Sequence, residues 1–239
     1  MQQVFLSDVE LYYSHQVYED KIIISDEEFH HIKDVMRHKV DDEINITDGK
    51  GKIYKCKINE IKKRELSCVV FDTYSYNNKL SNLKFCIPRL KNADRLEFAL
   101  EKCVELGVNN FIVFDSERTV AKGDKTERWQ KIVTSAMKQT LRAWLPKVSY
   151  CKSISDLIKL DGKKIFFEQN ADTLFSSIVN AEFYAQPSTF LVFGPEGGFT
   201  SEELRVNNEE ISVKLVENRL RSETAVVVAA SIISANLIQ

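Results

Sequence analysis

The 239-residue sequence has no long apolar run, few cysteines and almost no excess of charge of either sign. No run approaches the roughly 20 apolar residues of a membrane-spanning helix, which argues against a membrane protein. The five cysteines are odd in number and contain no CxxC pair, so we expect reduced thiols, no disulfide framework and no zinc site. The first residues, 1–8, lack the charged and apolar regions of a signal peptide, and we expect a cytoplasmic protein.

Composition places the chain among ordinary globular proteins. Hydrophobic residues make up 44% and charged residues 28%, which excludes a disordered or low-complexity chain. The net charge of −2 predicts no nucleic-acid partner, but two segments are basic. Residues 50–64 hold seven basic side chains and one acidic one. Residues 118–147 hold eight basic side chains and two acidic ones. Such local fields can attract a polyanion, although solvated strand and helix faces are the simpler interpretation of either segment alone.

The first part of the chain has the alternating pattern of half-buried strands. Apolar and polar residues alternate at positions 44–46, 54–58 and 66–70, and Asp48-Gly49 between the first two segments is a typical hairpin turn. A short helix is predicted at about 26–37. This pattern predicts a small β-barrel-like domain with lysines on the outer face of its ribbon.

Residues 74–82 are polar and turn-prone, and they predict a linker. Strands and helices alternate after it: strands at 83–87, 111–114, 164–167, 189–193 and 212–216, and helices at 93–106, 126–142 and 223–238. This alternation indicates an α/β domain with a mostly parallel sheet covered by helices. We therefore expect domains at residues 1–75 and 76–239. The last helix is apolar nearly all round, and we expect it to be buried.

Glycine is scarce, with 8 residues in 239, yet three of the eight lie in the segment Gly194–Gly198. This segment follows an apolar strand and precedes Thr200 and Glu203, which have the spacing of a helix capping box. A glycine loop between a strand and a helix is where open α/β sheets bind ligands, because backbone can approach the ligand closely there. The loop matches neither the P-loop nor the dinucleotide-binding pattern. A tight turn without a ligand is the alternative interpretation.

Two arginine-containing clusters are candidates for anion or RNA contacts. Arg219 and Arg221 lie where the strand at 212–216 leads into the last helix, which suits binding of an anion or a polarised oxygen. Arg118 follows another strand, and Gln139 and Arg142 share a helix face, as residues that contact RNA phosphates and bases do. The alternative for the first cluster is a helix start with solvated arginines. The alternative for the second is surface salt bridges.

The histidine cluster at positions 30, 31 and 38 does not predict a metal site. Zinc needs further ligands at suitable spacing, and none is evident in the sequence. We therefore expect surface or partner contacts from these histidines and no metal.

With these residues in view, the sequence resembles the small-subunit ribosomal RNA methyltransferase E family, uridine-N3 methyltransferases of 16S rRNA in the SPOUT (trefoil-knot) superfamily. Two motifs are specific to it and the others support it. The specific ones are Gly194-Pro-Glu-Gly-Gly-Phe-Thr-x-x-Glu203 and Leu220-Arg-Ser-Glu-Thr-Ala225; the supporting ones are His31-x-x-x-Val-Met-Arg37, Asp48-Gly-x-Gly51, Lys102-Cys-Val-Glu-Leu-Gly107, Glu117-Arg118, Gln139-x-x-Arg142 and Pro146.

The resemblance implies a PUA-like β-barrel that binds RNA, followed by a knotted, homodimeric catalytic domain that binds S-adenosyl-L-methionine. It implies cofactor contacts from two loops: Phe193, Gly194, Pro195, Glu196, Gly197, Gly198, Leu215, Asn218 and Leu220. The expected catalytic residues are Arg221, Arg118, Arg142 and Glu223, with Glu196 as the other candidate base. RNA contacts are expected from His31, Arg37, Lys52, Lys55, Arg118, Gln139 and Arg142, with 16S rRNA of the small ribosomal subunit as the partner.

Two alternatives remain open, and a departure from the family pattern motivates the first of them. The family's Leu-Gly-x-Arg run reads Leu215-Val216-Glu217-Asn218 in this chain, and an arginine follows one place later at Arg219. A ribosome-assembly RNA-binding protein without a cofactor is therefore one alternative. A knotted ribose 2′-O-methyltransferase of rRNA or tRNA is the other, since it belongs to the same class of enzyme.

Overall fold

The alternating segments of the first part of the chain form a six-stranded mixed sheet. A computed structural model describes residues 9–205 and 211–237 and divides the chain into two units; the first comprises residues 1–78 and 137–145. Its strands are β1 (Leu11–Tyr13), β2 (Gln16–Val17), β3 (Lys21–Ser25), β4 (Glu43–Thr47), β5 (Lys52–Ile61) and β6 (Glu65–Ser75). The order is β1-β4-β5-β6-β3-β2, so the sheet is a half-barrel with β1 and β2 at its edges.

The core of this unit lies under the alternating apolar positions. Ile44, Ile46, Cys56 and Ile58 are buried, whereas Lys57 between the last two is exposed, as the period of two requires. Helix α1 (Asp26–His30) places Phe29 in the same core. The three predicted strands are thus present, and three short strands join them that the alternation did not predict.

The second unit, residues 79–136 and 146–239, contains a parallel sheet. Its strands are β7 (Leu83–Pro88), β8 (Asn110–Phe114), β9 (Lys147–Cys151), β10 (Lys163–Phe167), β11 (Thr189–Phe193) and β12 (Ile211–Val213). They lie in the order β12-β10-β11-β7-β8-β9, and all their pairings are parallel. The carboxyl ends of β10, β11 and β12 therefore meet at one edge of the sheet, where ligands bind in open α/β folds.

Within the described residues, seven further α-helices follow α1. They are α2 (Ala93–Glu105), α3 (Thr126–Gln139), α4 (Ile154–Ile158), α5 (Phe175–Ile178), α6 (Ala181–Ala185), α7 (Ser201–Arg205) and α8 (Ser222–Asn236). Asn92 caps α2 by accepting a hydrogen bond from Asp94 N, and the helix ends before Gly107, whose φ is 93°. Helix α8 packs against α2 and buries one of its faces, including Val226, Ala229 and Ile233.

Three predicted boundaries were wrong. The strand predicted at 212–216 ends at Val213, because Lys214 forms only an isolated bridge and the chain turns after it. The helix predicted at 126–142 ends at Gln139, since Leu141 has a φ of 55°. The helix predicted at 26–37 is α1 followed by a π-helical turn, His31–Val35. Position 238 of the last predicted helix and residues 1–8 lie outside the described residues.

All five cysteines are free, and burial raises the pKa of the Cys68 thiol to about 12. In residues 9–205 and 211–237, no three histidine, cysteine, aspartate or glutamate side chains are grouped as metal ligands. No helix in these same ranges is long and apolar enough to span a bilayer.

Candidate functional site

A cavity of about 860 Å³ lies at the carboxyl ends of β10, β11 and β12. The glycine loop Gly194–Gly198 after β11 forms one wall, and the loop Leu215–Arg221 between β12 and α8 contributes another. Residues 168–170 after β10 line it as well. The cavity volume lies within the range of about 300–1,000 Å³ that is typical of sites for small molecules.

The glycine loop turns tightly over the end of β11. Gly198 N donates to Pro195 O at 2.9 Å, and the ring of Phe193 stacks on that of Phe167 with 4.4 Å between centroids. Gly198 has a φ of 68°, and a Cβ built there would have no protein atom within 4 Å. The loop therefore presents backbone to open cavity space at a position that favours glycine.

The loop before α8 is tied to the glycine loop and to β10. Ser222 Oγ donates to Gly194 O at 2.8 Å, so the first residue of α8 is bonded to the start of the glycine loop. Gln169 Nε2 donates to Glu217 O at 2.9 Å. Arg219 and Arg221 both line the cavity and are both exposed. The site thus combines two cationic side chains with the amino-terminal end of a 15-residue helix.

Arg118 reaches the glycine loop from the segment that follows β8. Its Nη1 donates to Gly197 O at 2.7 Å, and a Cβ built on Gly197 would lie 3.2 Å from Arg118 Cβ. Arg118 therefore packs along the loop and also bonds to it. The segment that carries Arg118 is also anchored at Asp115, whose Oδ2 accepts hydrogen bonds from Tyr150 Oη at 2.6 Å and from Gly123 N at 3.1 Å. Burial, together with this bond, raises the pKa of Tyr150 to about 12.

A buried carboxylate connects these two segments. Glu203 Oε1 accepts hydrogen bonds from Ser116 Oγ at 2.8 Å and from Glu117 N at 2.9 Å, while its Oε2 accepts one from Thr200 N at 2.8 Å. Glu203 N in turn donates to Thr200 Oγ1 at 3.2 Å, which completes the predicted capping box. The carboxylate thus joins the Arg118 segment to the residues that follow the glycine loop.

Most residues expected to bind the cofactor line this cavity. Eight of the nine do so: Phe193, Gly194, Pro195, Glu196, Gly197, Gly198, Leu215 and Leu220. Asn218 is exposed and is not among the lining residues. Residues 168–170 also line the cavity and were not predicted from the sequence. Their position directly after a strand of the same sheet would have indicated them.

Of the four expected catalytic residues, Arg221 alone lines the cavity. Glu223 is buried in the first turn of α8, where its Oε1 lies 3.6 Å from Arg95 Nε, and it is not a lining residue. Arg118 contacts the glycine loop as described above. Arg142 belongs to the first unit, as does Gln139.

The residues expected to contact RNA are mostly exposed. His31 and Arg37 lie at the start and just beyond the end of the π-helical turn, and Arg37 has a φ of 61°. Lys52 is exposed at the start of β5. Lys55 lies over the ring of Tyr74, with Nζ 5.3 Å from its centroid, and a hydrogen bond to Tyr74 raises the pKa of the lysine.

Comparison with known proteins places both units in one family. The profile described as an RNA methyltransferase domain matches residues 77–234, and the profile described as an RNA methyltransferase PUA domain matches residues 24–71. The chain is 33% identical to the ribosomal RNA small subunit methyltransferase E of Bacillus subtilis, over 88% of each chain. It is 30% identical to the protein of the same name from Aquifex aeolicus, over 93% of this chain and 98% of the relative.

A solved structure has the same fold. The ribosomal RNA small subunit methyltransferase E of Neisseria gonorrhoeae, bound to S-adenosyl methionine, superposes with a TM-score of 0.83 at 24% identity, covering 95% of this chain and 98% of that one. These matches confirm the fold class expected from the sequence, an α/β SPOUT domain preceded by a PUA-like domain. The chain therefore belongs to the ribosomal RNA small subunit methyltransferase E family of RNA methyltransferases.

Proposed function

We propose that this protein transfers a methyl group from S-adenosyl-L-methionine to N3 of a uridine in 16S rRNA of the small ribosomal subunit, in the cytoplasm. The observation that carries the proposal is the cavity lined by both the glycine loop and the arginines of the loop before α8. Family membership supports it, since the relatives are named as methyltransferases of small-subunit ribosomal RNA. The uridine and its N3 position come from the resemblance described above.

The residues around the cavity fit the cofactor. The open space beside Gly198 gives a ligand access to backbone groups, and Phe193, Leu215 and Leu220 supply apolar walls for a planar adenine ring. Glu196 adds an exposed carboxylate at the same cavity, which suits a ligand that carries positive charge. When bound, S-adenosyl-L-methionine supplies an electrophilic methyl group on its sulfonium.

Arg221 stabilises the uridine for transfer. N3 of uridine carries a proton at neutral pH, so methylation there requires loss of that proton and leaves negative charge on the ring and its carbonyl oxygens. Arg221 lines the cavity, and in this proposal its guanidinium donates hydrogen bonds to such an oxygen. We assign Glu196 as the group that accepts the proton, which its place among the residues lining the cavity supports; Glu223, the other candidate, is buried beside Arg95.

Arg118 positions the glycine loop in this proposal. Its bond to Gly197 O at 2.7 Å holds the loop that lines the cavity. The RNA substrate is held by the first unit through His31, Arg37, Lys52, Lys55, Gln139 and Arg142. Contacts of arginine and lysine with phosphates supply affinity, and contacts with base edges supply sequence preference.

The active form is proposed to be a homodimer built on α2 and α8. Val227, Val228 and Ile232 remain partly exposed on α8, and Phe98 on the neighbouring α2 is 49% exposed. An isologous interface buries such apolar positions in both copies. Sedimentation equilibrium is expected to give twice the chain mass of 27.5 kDa, and replacing Val228 by aspartate is expected to give the monomer. A monomeric wild-type protein at micromolar concentration contradicts this proposal.

Two measurements test the proposed function. Calorimetric titration is expected to show one S-adenosyl-L-methionine bound per chain, and ligand at 100 times its dissociation constant is expected to stabilise the protein by about 2.7 kcal/mol. Small subunits that lack the modification are then incubated with methyl-labelled cofactor and digested to nucleosides. We expect labelled 3-methyluridine. A 2′-O-methylated nucleoside indicates the ribose methyltransferase instead, and RNA binding without cofactor binding indicates the assembly protein.

A further inference from the structure

The hairpin Asp48–Gly51 holds a segment of chain from far along the sequence. Residues 143–145 lie against the hairpin, and Lys50 forms an antiparallel bridge with Trp144. Two backbone hydrogen bonds flank this bridge: Gly51 N donates to Ala143 O at 3.0 Å, and Leu145 N donates to Gly49 O at 2.9 Å. The hairpin and this segment are thus joined as two strands of a sheet are joined.

Side chains reinforce the same contact. Thr47 Oγ1 donates to Ala143 O at 3.1 Å, so this carbonyl accepts bonds from both the start and the end of the hairpin. Trp144 Nε1 donates to Tyr76 O at 2.9 Å, and Tyr76 N donates to Gly51 O at 2.8 Å. The indole ring is therefore fixed at its Nε1 edge, and its atoms lie close to Gly51.

Glycine is required at position 51. Its φ is 101°, and a Cβ built there would lie 2.7 Å from Trp144 Cε2 and 2.9 Å from Tyr76 O. The Trp144 ring is held by its hydrogen bond and Tyr76 O belongs to the backbone, so neither can move aside for a Cβ without a cost in free energy. Position 49 is restricted in the same way, since a Cβ there would lie 2.8 Å from Leu145 Cβ. The two glycines allow residues 143–145 to approach the hairpin closely.

The segment is also held just before Arg142. Lys138 Nζ lies 2.6 Å from Glu28 Oε2, and Arg142 N donates to Met137 O at 2.9 Å. Leu141 has a φ of 55°, a left-handed conformation that costs a non-glycine residue about 1 kcal/mol or more and persists only where surrounding contacts enforce it. Arg142 therefore stands between two fixed points, the end of α3 and the bridge at Trp144.

We propose that Gly49 and Gly51 are positioning residues that fix Arg142 for contact with the RNA substrate. The inference rests on the proposed function, because it assigns Arg142 to RNA binding. The hairpin glycines act through the segment 143–145 and the strained Leu141, and they need not touch RNA. Loss of this contact releases Leu141 to ordinary backbone conformations and turns the Arg142 guanidinium away from its RNA partner.

The test compares Gly51→Ala, Arg142→Ala and the double variant with wild type. Loss of one arginine contact to RNA weakens binding by roughly tenfold, and we expect each single variant to raise the KM for small subunits, or the Kd for 16S rRNA, by about that factor. The double variant is expected to be no worse than either single one, because both remove the same contact. The Kd for S-adenosyl-L-methionine is expected to stay unchanged. Gly123→Ala is the matched control for the strain of a positive φ alone, since that glycine has a φ of 99° but no atom within 4 Å of a built Cβ, and alanine keeps the amide that donates to Asp115 Oδ2.

Hydrogen exchange provides a readout that does not involve RNA. Gly51→Ala is expected to speed exchange at the Leu145 amide, which bonds to Gly49 O. Trp144→Phe, which loses the bond to Tyr76 O and part of the ring that packs against Gly51, is the milder variant if Gly51→Ala fails to fold. Unchanged RNA affinity in the glycine and tryptophan variants, or additive losses in the double variant, overturns the inference. Wild-type protein that binds the cofactor but neither binds nor methylates the RNA overturns the proposed function, and the inference with it.

Discussion

Arg221→Ala is expected to lower kcat for methyl transfer by about 10²–10³-fold. Arg221 lines the cavity just before the buried Ser222, whose hydroxyl donates to Gly194 O, so the backbone that carries the arginine is fixed. Fixed cationic donors aimed at developing negative charge supply a large part of many enzymes' rate enhancement. Initial rates with labelled cofactor and saturating small subunits measure the loss.

Affinity for the cofactor is expected to change by less than about threefold in the same variant, because the arginine acts on charge that develops during transfer. Lys214→Ala is the matched control. Lys214 is a cation of the segment after β12, pairs with Glu217 at 3.0 Å and is not among the residues that line the cavity. We expect its kcat to stay near the wild-type value. If Arg219→Ala causes the large loss and Arg221→Ala does not, the role proposed for Arg221 belongs to Arg219 instead.

The glycine loop and the start of α8 were predictable because their signals are local. A buried strand, a cluster of three of the eight glycines and a capping box all fall within residues 189–203, and the structure contains each of them. Strand β11 was predicted at its observed bounds, since all five of its residues are apolar or small and buried. Local pattern thus located the cavity through the loops that line it.

Other features depend on contacts between distant residues, which periodicity does not report. The order of the second sheet places β11 between β10 and β7, and nothing in the alternation of strands and helices specifies that order. Residues 137–145 belong to the first unit, although the sequence pattern assigned them to the domain predicted at residues 76–239. That grouping depends on Gly51 and Trp144, which are far apart in the chain.

Charged residues of the site show the same limit. The sequence offered Glu223 as a catalytic candidate, and the structure pairs it with Arg95 from α2, a residue no motif connected to it. Glu203 appeared as the last residue of a capping box and of a family motif, yet its carboxylate also accepts hydrogen bonds from Ser116 and Glu117. A carboxylate's role depends on which donors the fold brings to it, and these come from another loop.

Glu203→Ala is expected to destabilise the protein by about 3 kcal/mol and to weaken cofactor binding by more than tenfold. Glu203 is 6% exposed, and its carboxylate accepts hydrogen bonds from Ser116 Oγ, Glu117 N and Thr200 N. Hydrogen bonds to a charged group contribute about 1.5–3 kcal/mol each, and removing the acceptor leaves its donors unsatisfied. Because these donors flank Arg118 and the glycine loop, the cavity wall loses its support when the carboxylate is removed.

Two further variants separate this connection from a general loss of stability. In Glu203→Gln the amide oxygen can still accept from Ser116 and Glu117, but the amide nitrogen faces Thr200 N, so an intermediate loss is expected. Glu202→Ala removes an exposed carboxylate from the preceding position, and we expect its melting temperature and cofactor affinity to match wild type. Thermal melts with and without S-adenosyl-L-methionine, together with calorimetry, measure both effects. Equal losses in the Glu202 and Glu203 variants would show that charge near α7 matters, and that the buried hydrogen bonds to the Arg118 segment do not.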